Sequence, residues 1–335
     1  MKEIESEFVF AVTNVGSEIA LKTEVEAARL GWRLSYQHKG FVTFKASAGK
    51  RPFSLASLDR PLGCARRLCL SLGKSETREE AENRIKQHPA YLGGTIHQVH
   101  YANRRIERVP GPLEERPEPG DCIGTVVALG DSEFWAGLHL HTPMLSPDPG
   151  GDSGIVMPED SPSRAWLKLE EAVRFFELEL TPRDIVVELG CAPGGVVLAL
   201  LRRQISVIGV DPAKMADVVM ASAVLDRLLV PLDKAWFYHC CRPAALAGKK
   251  DLGAGVTWFM SDMNQSPAVV MKECARFCRM APTIRGVLVT LKLTDMSQVA
   301  EKKEWFRVLR DLDFKTIRLQ QFSVHHREIA LLALK

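Results

Sequence analysis

The stretch that decides the fold is DIVVELGCAPGG, residues 184–195. Its first half, DIVVEL over residues 184–189, is nearly all apolar, which is typical of a strand buried on both faces of a sheet. A Gly-rich turn follows, and a helix is predicted over residues 196–204. Glycine permits a sharp turn and a close approach of the backbone to a ligand. The stretch therefore predicts an α/β domain whose ligand lies at this turn.

Strands and helices alternate on both sides of this strand–turn–helix unit. Further strands are predicted at residues 206–210, 256–261, 286–291, 315–320 and 329–334, and helices at 164–180, capped by Ser161 or Ser163, and at 297–312. This alternation predicts a mostly parallel, doubly wound, Rossmann-like sheet over residues 161–335. Ligands of such a sheet bind at the carboxyl ends of its strands.

The N-terminal half, residues 1–145, predicts a different domain. Strands are predicted at 8–13, 32–36, 40–45 and 67–72, helices from Ser17 onward and at 76–88, and a hairpin at 122–139. The β-α-β-β-α order resembles a ferredoxin-like α+β unit. Residues 146–160 begin with the turn-formers SPDPGGDSG and are predicted to be a linker between the two domains.

The composition is that of an ordinary globular protein, with 335 residues, 46% hydrophobic and 25% charged. No apolar run reaches the about 20 residues that cross a bilayer, and the N-terminus lacks the plan of a signal peptide. We expect a cytoplasmic protein with its eight cysteines reduced. No metal site is predicted, since Cys274 and Cys278 lie one helical turn apart without a second half. With a net charge of only +3, nucleic acid would have to be bound by local basic patches.

The Gly-rich turn has the features of a nucleoside-cofactor site. Asp211 ends the next strand, about 20 residues on, where a carboxylate would accept hydrogen bonds from ribose hydroxyls. The spacing G-x-G-x-x-G is absent, and Pro193 removes a backbone N–H that a pyrophosphate would use. S-adenosylmethionine is therefore favoured over a dinucleotide, and a tight turn that binds nothing is the alternative. Glu188 can hold the amino group of the cofactor or a water, or hydrogen-bond the loop.

Four ionisable residues fall at the expected mouth of the sheet. Lys168 lies on the helix before the Gly-rich strand, and Asp262 follows the strand at residues 256–261. Lys292 ends an apolar strand, and Glu328 precedes the last one. Each of the four can be an ordinary solvated or strand-end charge. This interpretation is weakest for Lys292, because the strand before it, VLVTL, is nearly all apolar.

These residues carry a resemblance to the FtsJ-type ribose 2′-O-methyltransferases. The matching motifs are SRAWLKL at 163–169, the turn at 188–195, SDM at 261–263, LKL at 291–293 and Glu328. That family has a Lys-Asp-Lys-Glu tetrad, matched here in order by Lys168, Asp262, Lys292 and Glu328. Within the family the chain is most similar to the RlmM-type bacterial 23S rRNA (cytidine-2′-O-)-methyltransferases. The resemblance is strong over residues 143–335 and weaker before them.

The resemblance implies an S-adenosylmethionine-dependent enzyme that methylates a ribose 2′-hydroxyl, on a cytidine of 23S rRNA, after an RNA-binding THUMP-type domain at residues 1–145. RNA is then the partner, with no membrane and no protein partner expected. The cofactor-binding residues implied are Glu188, Gly190, Cys191, Ala192, Pro193, Gly194, Gly195, Asp211 and Asp262. The alternatives are the same chemistry on tRNA or another RNA, a non-catalytic RNA-binding module, and a dinucleotide oxidoreductase.

In that family Lys292 would be the general base or the group that orients the hydroxyl. A free lysine has a pKa of about 10.4. Lys168 and partial burial would lower the pKa of Lys292, whereas Asp262 would oppose this change, so the net direction stays open. Glu328 would orient a lysine or the ribose.

Several residues depart from the family pattern or have weaker signals. Val196 and Val197 stand where the family has an aromatic residue, and residues 236–247 lack the acid that usually contacts adenine. Candidate phosphate contacts are the basic pairs Arg66-Arg67, Arg104-Arg105, Arg202-Arg203, Lys249-Lys250 and Lys302-Lys303. Solvated charge is the default interpretation of such pairs, and Arg104-Arg105 and Lys249-Lys250 are favoured as the exceptions. Candidates for base stacking are Tyr101, Trp135 and Trp166, with packing as the default interpretation of each.

Overall fold

The computed structural model of the chain describes residues 5–59, 62–110, 116–226 and 255–335. Its contacts divide the chain into two compact units. Unit 1 comprises Met1–Gly154, Asp295–Ala300 and Gln320–Arg327, and unit 2 comprises Ile155–Thr294, Glu301–Leu319 and Glu328–Lys335. None of the described helices is long and apolar enough to cross a membrane.

The predicted boundaries differ from this division in two places. Residues 146–154, predicted to be linker, pack within unit 1, where the buried Arg67 guanidinium donates to the carbonyl oxygens of Ser146 at 2.6 Å and Asp148 at 2.7 Å. Two segments of the C-terminal half also belong to unit 1. Turn-forming residues reveal that a segment is irregular, but their partners are set by contacts distant in sequence.

Unit 1 is built on a strongly curled sheet. Its strands are β1 (Glu5–Ser6), β2 (Phe8–Val12), β3 (Trp32–His38), β4 (Phe41–Ala46), β5 (Phe53–Ser54), β6 (Arg67–Ser75), β7 (Ile96–Ala102), β8 (Arg105–Arg108), β9 (Cys122–Gly130) and β10 (Glu133–Leu140). Among the described residues, eight of them form one sheet in the order β3-β4-β2-β6-β10-β9-β7-β8, and β1 pairs with β5. Neighbours are antiparallel except β7 and β9.

The two faces of this sheet have different covers. Helix α2 (Arg78–Lys86) lays Ala81 and Ile85 on one face, and Thr77 caps its first turn by accepting from the Glu80 amide at 3.2 Å. Helix α1 (Glu18–Ala27) buries Leu21 and Val25. The other face carries an aromatic and aliphatic cluster: Phe10, Val12, Phe41, Cys69, Val99, Ile106, Val127 and Leu129.

The predicted strands and the hairpin of the N-terminal half are confirmed as β2, β3, β4, β6, β9 and β10. Strands β7 and β8 were not predicted, because IHQVHYA lacks a continuous apolar run and RIER contains a single apolar residue. Helix α2 follows β6 and packs beside β10, and β6 takes its place in the sheet without a helix before it. The structure thus does not confirm a ferredoxin-like unit.

Unit 2 is a Rossmann-like α/β unit. Its strands are β11 (Ile185–Leu189), β12 (Ser206–Val210), β13 (Trp258–Ser261), β14 (Gly286–Lys292), β15 (Thr316–Gln320) and β16 (Glu328–Leu334). Its helices are α3 (Ala165–Phe176), α4 (Gly195–Arg202), α5 (Asp217–Asp226), α6 (Pro267–Met280) and α7 (Lys302–Arg310). The sheet order is β12-β11-β13-β14-β16-β15, with parallel pairing through β14 and β16 antiparallel to β14.

The mostly parallel doubly wound sheet predicted for unit 2 is confirmed. Two predicted helices were too long. Helix α3 ends at Phe176 because Glu177 adopts a left-handed conformation with φ +53°. The predicted helix at 297–312 is a 3₁₀ turn, Met296–Glu301, followed by α7.

Candidate active site

The Gly-rich turn lies at the carboxyl end of β11, between β12 and β13. Gly190 has a φ of +79°, and a Cβ there would come within 2.7 Å of the backbone nitrogen and Cα of Met263. The Asp262 amide donates to the Leu189 carbonyl at 3.1 Å and holds the turn after β13 in that place. Glycine at position 190 is therefore required by both its positive φ and its packing.

The glycines that begin α4 pack against the protein itself. A Cβ on Gly195 would lie 2.8 Å from both the Ser163 carbonyl oxygen and the Trp166 amide nitrogen, and one on Gly194 would lie 2.7 Å from the Met215 sulfur. From the sequence, these glycines were predicted to allow close approach of the backbone to a ligand. In the structure, close packing of α3 on α4 is already a sufficient reason for Gly195.

Asp211 holds the Gly-rich turn from the end of β12. Its Oδ2 accepts from the Ala192 amide at 3.0 Å and its Oδ1 accepts from the Ala213 amide at 2.7 Å. Each carboxylate oxygen has a second lone pair, so ribose hydroxyls could still donate to it. The peptide between Ala192 and Pro193 is cis. Burial, and then Glu188 and Asp211, raise the pKa of the Cys191 thiol, which stays protonated.

Glu188 is a buried carboxylate on the central strand β11. Its residue is 2% exposed, and its Oε2 has no hydrogen-bond partner among the described residues. The pKa of Glu188 is raised well above its ordinary value, mainly by burial and then by the nearby Asp262 and Asp211. A buried polar atom without a partner is rare in folded proteins. This one therefore points to a ligand that brings a hydrogen-bond donor.

Ser163 is a site residue that the sequence treated only as a candidate helix cap. Arg164 occupies the N-cap position of α3, and the Ser163 hydroxyl is buried without a partner among the described atoms. Its backbone abuts Gly195. The motif SRAWLKL contained the signal, but only the packing of α3 on α4 brings this hydroxyl to the Gly-rich turn. A donor at Ser163 and an acceptor at Glu188 fit the carboxylate and ammonium of a methionine end.

The structure brings the four predicted catalytic residues together. Asp262 follows β13 and Lys292 ends β14, so both lie at the carboxyl edge of the parallel strands. Because β16 is antiparallel, its first residue, Glu328, lies at the same edge and pairs in register with Lys292. Lys168 reaches this edge from α3. Four segments distant in sequence therefore supply one cluster.

The four side chains form a ring of alternating charge. Lys168 Nζ lies 2.9 Å from Asp262 Oδ2 and 2.7 Å from Glu328 Oε2. Lys292 Nζ lies 2.6 Å from Asp262 Oδ1 and 2.9 Å from Glu328 Oε1. Each lysine thus contacts both carboxylates, and the formal charges cancel. Side-chain exposures of 13–20% leave the ring accessible at one side.

The ring decides the direction of the Lys292 pKa that the sequence left open. Burial is the largest influence and lowers the pKa of Lys292, but Asp262 and Glu328 together outweigh it, so the pKa is raised above the ordinary lysine value. Lys292 is therefore a cation at neutral pH in this arrangement. An ammonium group has three N–H donors, and the two carboxylates account for two of them.

Other sequence candidates have structural roles. Arg66 and Arg67, candidates for phosphate contacts or solvated charges, are buried at 2% and 0% exposure, which excludes both interpretations. Arg203 pairs with Glu170 at 2.6 Å.

The acid-poor stretch 236–247 and the pair Lys249-Lys250 lie outside the described residues. Val196 and Val197 are buried in α4 at 7% and 0% exposure, so their side chains belong to the core of unit 2. Among the residues that the structure describes, no group of three or more His, Cys, Asp or Glu side chains is arranged to hold a metal ion.

Comparison with known proteins agrees with this geometry. The model of the FtsJ-like methyltransferase family matches residues 162–225, which contain α3, the Gly-rich turn, Asp211 and α5. Unit 2 thus has a methyltransferase Rossmann-like fold with an FtsJ-like segment.

Two relatives are both named ribosomal RNA large subunit methyltransferase M. The protein from Tolumonas auensis is 28% identical over 214 residues, covering 62% of this chain and 54% of that protein. The protein from Aeromonas salmonicida is 33% identical over 196 residues, covering 57% and 46%. The chain spans about half the length of the curated relatives it matches. A solved structure described as a putative ribosomal RNA methyltransferase from Plasmodium falciparum aligns with 52% of this chain and 97% of its own, at 16% identity and a TM-score of 0.38.

Proposed function

We propose that this chain is an S-adenosylmethionine-dependent RNA ribose 2′-O-methyltransferase that methylates a cytidine of 23S rRNA. The observation that carries the proposal is the ion-paired ring of Lys168, Asp262, Lys292 and Glu328 at the carboxyl edge of the unit 2 sheet. The ring shares that edge with the Gly-rich turn, and the FtsJ-like segment supplies both the turn and Lys168. The names of the relatives support ribosomal RNA of the large subunit as the substrate.

The residues of unit 2 suit S-adenosylmethionine. Glu188 would accept from its ammonium group, the Ser163 hydroxyl would donate to its carboxylate, and Asp211 would accept from its ribose hydroxyls. The remaining contacts would come from the turn residues Gly190, Cys191, Ala192, Pro193, Gly194 and Gly195, and from Asp262. When bound, S-adenosylmethionine supplies a methyl group that is already electrophilic, so the protein must position and activate the nucleophile.

Lys292 would activate the ribose hydroxyl as a cation. Its pKa is raised, and two of its N–H groups are held by Asp262 and Glu328. The third can donate to the 2′-oxygen and stabilise the negative charge that develops there as the bond to the methyl group forms and the hydroxyl proton passes to water, which can reach the partly exposed ring. This favours the orienting role of Lys292 over the general-base role.

Lys168 would act as a positioning residue. It binds Asp262 and Glu328 from the side opposite Lys292, at 2.7–3.0 Å. Without it the two carboxylates would carry an uncompensated negative charge beside a partly buried lysine. Fixed geometry matters because alignment of the reacting atoms supplies much of the rate of such a transfer.

The test is methyl transfer by Lys292→Ala, with Lys272→Ala as the matched control. Lys272 is an exposed lysine on α6 of the same unit. We expect Lys292→Ala to lose about 10²–10⁴-fold in single-turnover rate on 23S rRNA from cells lacking the gene, with cofactor binding by calorimetry unchanged. Activity near that of the control would contradict the proposed role.

Two further measurements define the substrate and the role of Lys292. Mapping 2′-O-methyl sites in RNA from cells with and without the gene identifies the molecule and nucleotide, and a site in tRNA would replace 23S rRNA in the proposal. A rate that is flat from roughly pH 7 to 9 is expected for a cationic Lys292, whereas a general base with a lysine pKa would give a tenfold rise per pH unit.

A further inference from the structure

Unit 1 contains a cluster of half-buried aromatic side chains, here called the aromatic mouth and defined by Tyr36, His38, Tyr101 and Trp135. The rings of Tyr36 and Trp135 stack at 5.3 Å with an interplanar angle of 28°, and those of His38 and Tyr101 meet edge to face at 5.0 Å. Three of the four pack against the buried cluster on the sheet face opposite α2. None of the four residues is fully buried, so each keeps part of its surface in solvent.

Closure of the curled sheet creates this mouth. Tyr36 is on β3 and Trp135 is on β10, four steps apart in the strand order, which would be about 19 Å on a flat sheet at the usual spacing. The measured ring separation is 5.3 Å. His38 on β3 likewise meets Tyr101 on β7. The curl thus brings aromatic side chains from distant strands around one opening.

A β-bulge in β3 directs Tyr36 into the mouth. Leu34 lies opposite Phe44 on β4, but Tyr36 lies opposite Thr43, so two residues of β3 advance against one of β4. Since side chains alternate between faces, this shift moves Tyr36 from the Phe44 face to the opposite one. Without the bulge Tyr36 would point away from Trp135. Bulges of this kind commonly re-aim a side chain beside a functional site.

Glu133 holds the stacked pair in a fixed arrangement. Its Oε1 accepts from the Tyr36 hydroxyl at 2.8 Å and from the Trp135 indole N–H at 3.0 Å. Burial and the contact with Glu133 raise the pKa of Tyr36 to about 12. The polar atoms of both rings are thereby occupied, so a ligand would contact the part of the ring surface that packing on Phe41, 5.2 Å from the Trp135 ring, leaves open. A preorganised ring costs little entropy when a planar group stacks on it.

Exposed cations surround the mouth. Lys74 pairs in register with Trp135 and therefore shares its face, with 49% of its side chain exposed. Lys39 lies at the tip of the β3–β4 hairpin, and Arg104 and Arg105 lie at the tip of the β7–β8 hairpin, all exposed. The two tips converge, since Ile106 of β8 would contact a Cβ at Gly40 at 3.2 Å.

From these features we propose that the aromatic mouth binds an unpaired nucleotide of single-stranded RNA. A base would stack on the ring surface of the Tyr36–Trp135 pair, and the flanking phosphates would contact Lys39, Lys74, Arg104 and Arg105. Aromatic rings beside cations are the means by which proteins bind unpaired bases, since every base has a π face. The inference rests on the proposed function only in taking RNA as the ligand.

The experiment measures binding of the full chain to a short labelled single-stranded RNA by fluorescence anisotropy, without S-adenosylmethionine. We expect Trp135→Leu to weaken binding about 5- to 150-fold, the range for loss of one stacked base. Trp32→Leu is the matched control. Trp32 is half-buried on β3, the strand of Tyr36, and packs on Phe44 and Phe53 at 5.7 and 5.2 Å, before the bulge and away from the mouth.

A second variant keeps the test decisive if Trp135→Leu unfolds unit 1. Trp135→Phe keeps an aromatic ring at this position but removes the indole, so RNA should quench the wild-type tryptophan emission and quench this variant less. Equal quenching, or equal RNA affinity of folded Trp135→Leu and Trp32→Leu, would overturn the proposal, as would lack of RNA binding by the wild type. This binding assay is independent of the methyl-transfer assay. If RNA binding depends on Trp135 but the chain transfers no methyl group, the proposed function is rejected and the RNA site is retained.

Discussion

Two clusters of charged and polar side chains, one in each unit, differ in how their charges are compensated. In unit 2, Lys168, Asp262, Lys292 and Glu328 alternate in sign and stay 13–20% exposed. In unit 1, the fully buried Arg67 donates to His139 Nε2 at 2.7 Å and to two carbonyl oxygens, all neutral acceptors. The first arrangement keeps Lys292 charged at a solvent-accessible edge, whereas the second places a cation among neutral hydrogen-bond acceptors inside the core.

The pKa shifts follow from this difference. In unit 2 the carboxylates raise the pKa of Lys292 despite burial. In unit 1 burial dominates, lowering the pKa of Arg67 to about 10 and that of His97 to about 3. The pKa of His139 is also far below its ordinary value, chiefly through burial and Arg67. Since arginine can only donate, His139 Nε2 must accept, which requires a neutral imidazole. We infer that the first cluster serves chemistry and the second serves stability.

The largest expected effect comes from removing the charge of Asp262, one of the two carboxylates that the lysines of the ring share. In Asp262→Asn, Lys168 and Lys292 are left with Glu328 as their only shared carboxylate, so we expect single-turnover methyl transfer to fall about 10²–10⁴-fold. The free energy of unfolding should fall by less than the about 3–5 kcal/mol of a fully buried pair, because the ring is partly exposed. Rate assays and urea unfolding on one preparation measure both. If Asp262→Asn lowers the stability but leaves the methyl-transfer rate unchanged, the ring would have a structural role like that of the Arg67 cluster.

Next in size is the replacement of the buried cation of unit 1. Arg67→Met leaves His139 Nε2 and the carbonyls of Ser146 and Asp148 without their donor, which should cost about 1–3 kcal/mol. The matched control is Arg202→Met, whose side chain is 41% exposed and pairs with Asp160 on the surface. Urea unfolding measures the difference, and calorimetry should find cofactor binding unaltered by Arg67→Met. Equal stability of the two variants would remove the structural role assigned to Arg67.

A smaller effect per step is expected from acidification. His97 has a pKa of about 3 in the fold and near 6.5 when unfolded. The unfolded chain therefore binds more protons between these values, so the stabilisation is complete above about pH 6.5 and is lost as the pH falls toward 3. The loss should approach about 1.4 kcal/mol per pH unit for this histidine, with His139 adding to it in the same direction.

Hydrogen exchange of peptides from β9 and β10, compared between pH 7.5 and 5, measures this loss in unit 1. The carboxylates with lowered pKa values, Glu133 and Asp184, stay ionised in that window and should contribute little. In His97→Asn, protection of these peptides should change less between pH 7.5 and 5 than it does in the wild type. The protection of each protein at pH 7.5 is the reference for its own value at pH 5. Unchanged protection from pH 7.5 to 5 in the wild type would mean that these histidines do not act as described.

The smallest effect belongs to an exposed ion pair that calibrates the other three. Glu304 and Arg307 pair at 2.7 Å on α7, with both side chains 65% exposed. Glu304→Gln should leave the free energy of unfolding almost unchanged, since solvent screens such pairs. If urea unfolding gives a loss as large as that of Asp262→Asn, pairing in the ring would have no special value.

Local sequence patterns determined most of unit 2. The apolar run of β11, its Gly-rich turn and the alternation of strands and helices predicted a doubly wound sheet, because each pattern is set by neighbouring residues and by burial of a strand on both faces. The same rule placed four ionisable residues, Lys168, Asp262, Lys292 and Glu328, at the mouth of the sheet, and the family resemblance gave them the role of a catalytic tetrad.

Only the tertiary structure decided the rest. The raised pKa of Lys292 depends on two carboxylates that arrive from other segments, and the unpartnered hydroxyl of Ser163 depends on the packing of α3 against α4. In unit 1, a bulge and the curl of the sheet set Tyr36 on Trp135, and a buried core converts Arg67 from an expected phosphate contact into a structural residue. Burial, register and pairing depend on residues far apart in the chain, whereas the sequence patterns used here report on neighbours.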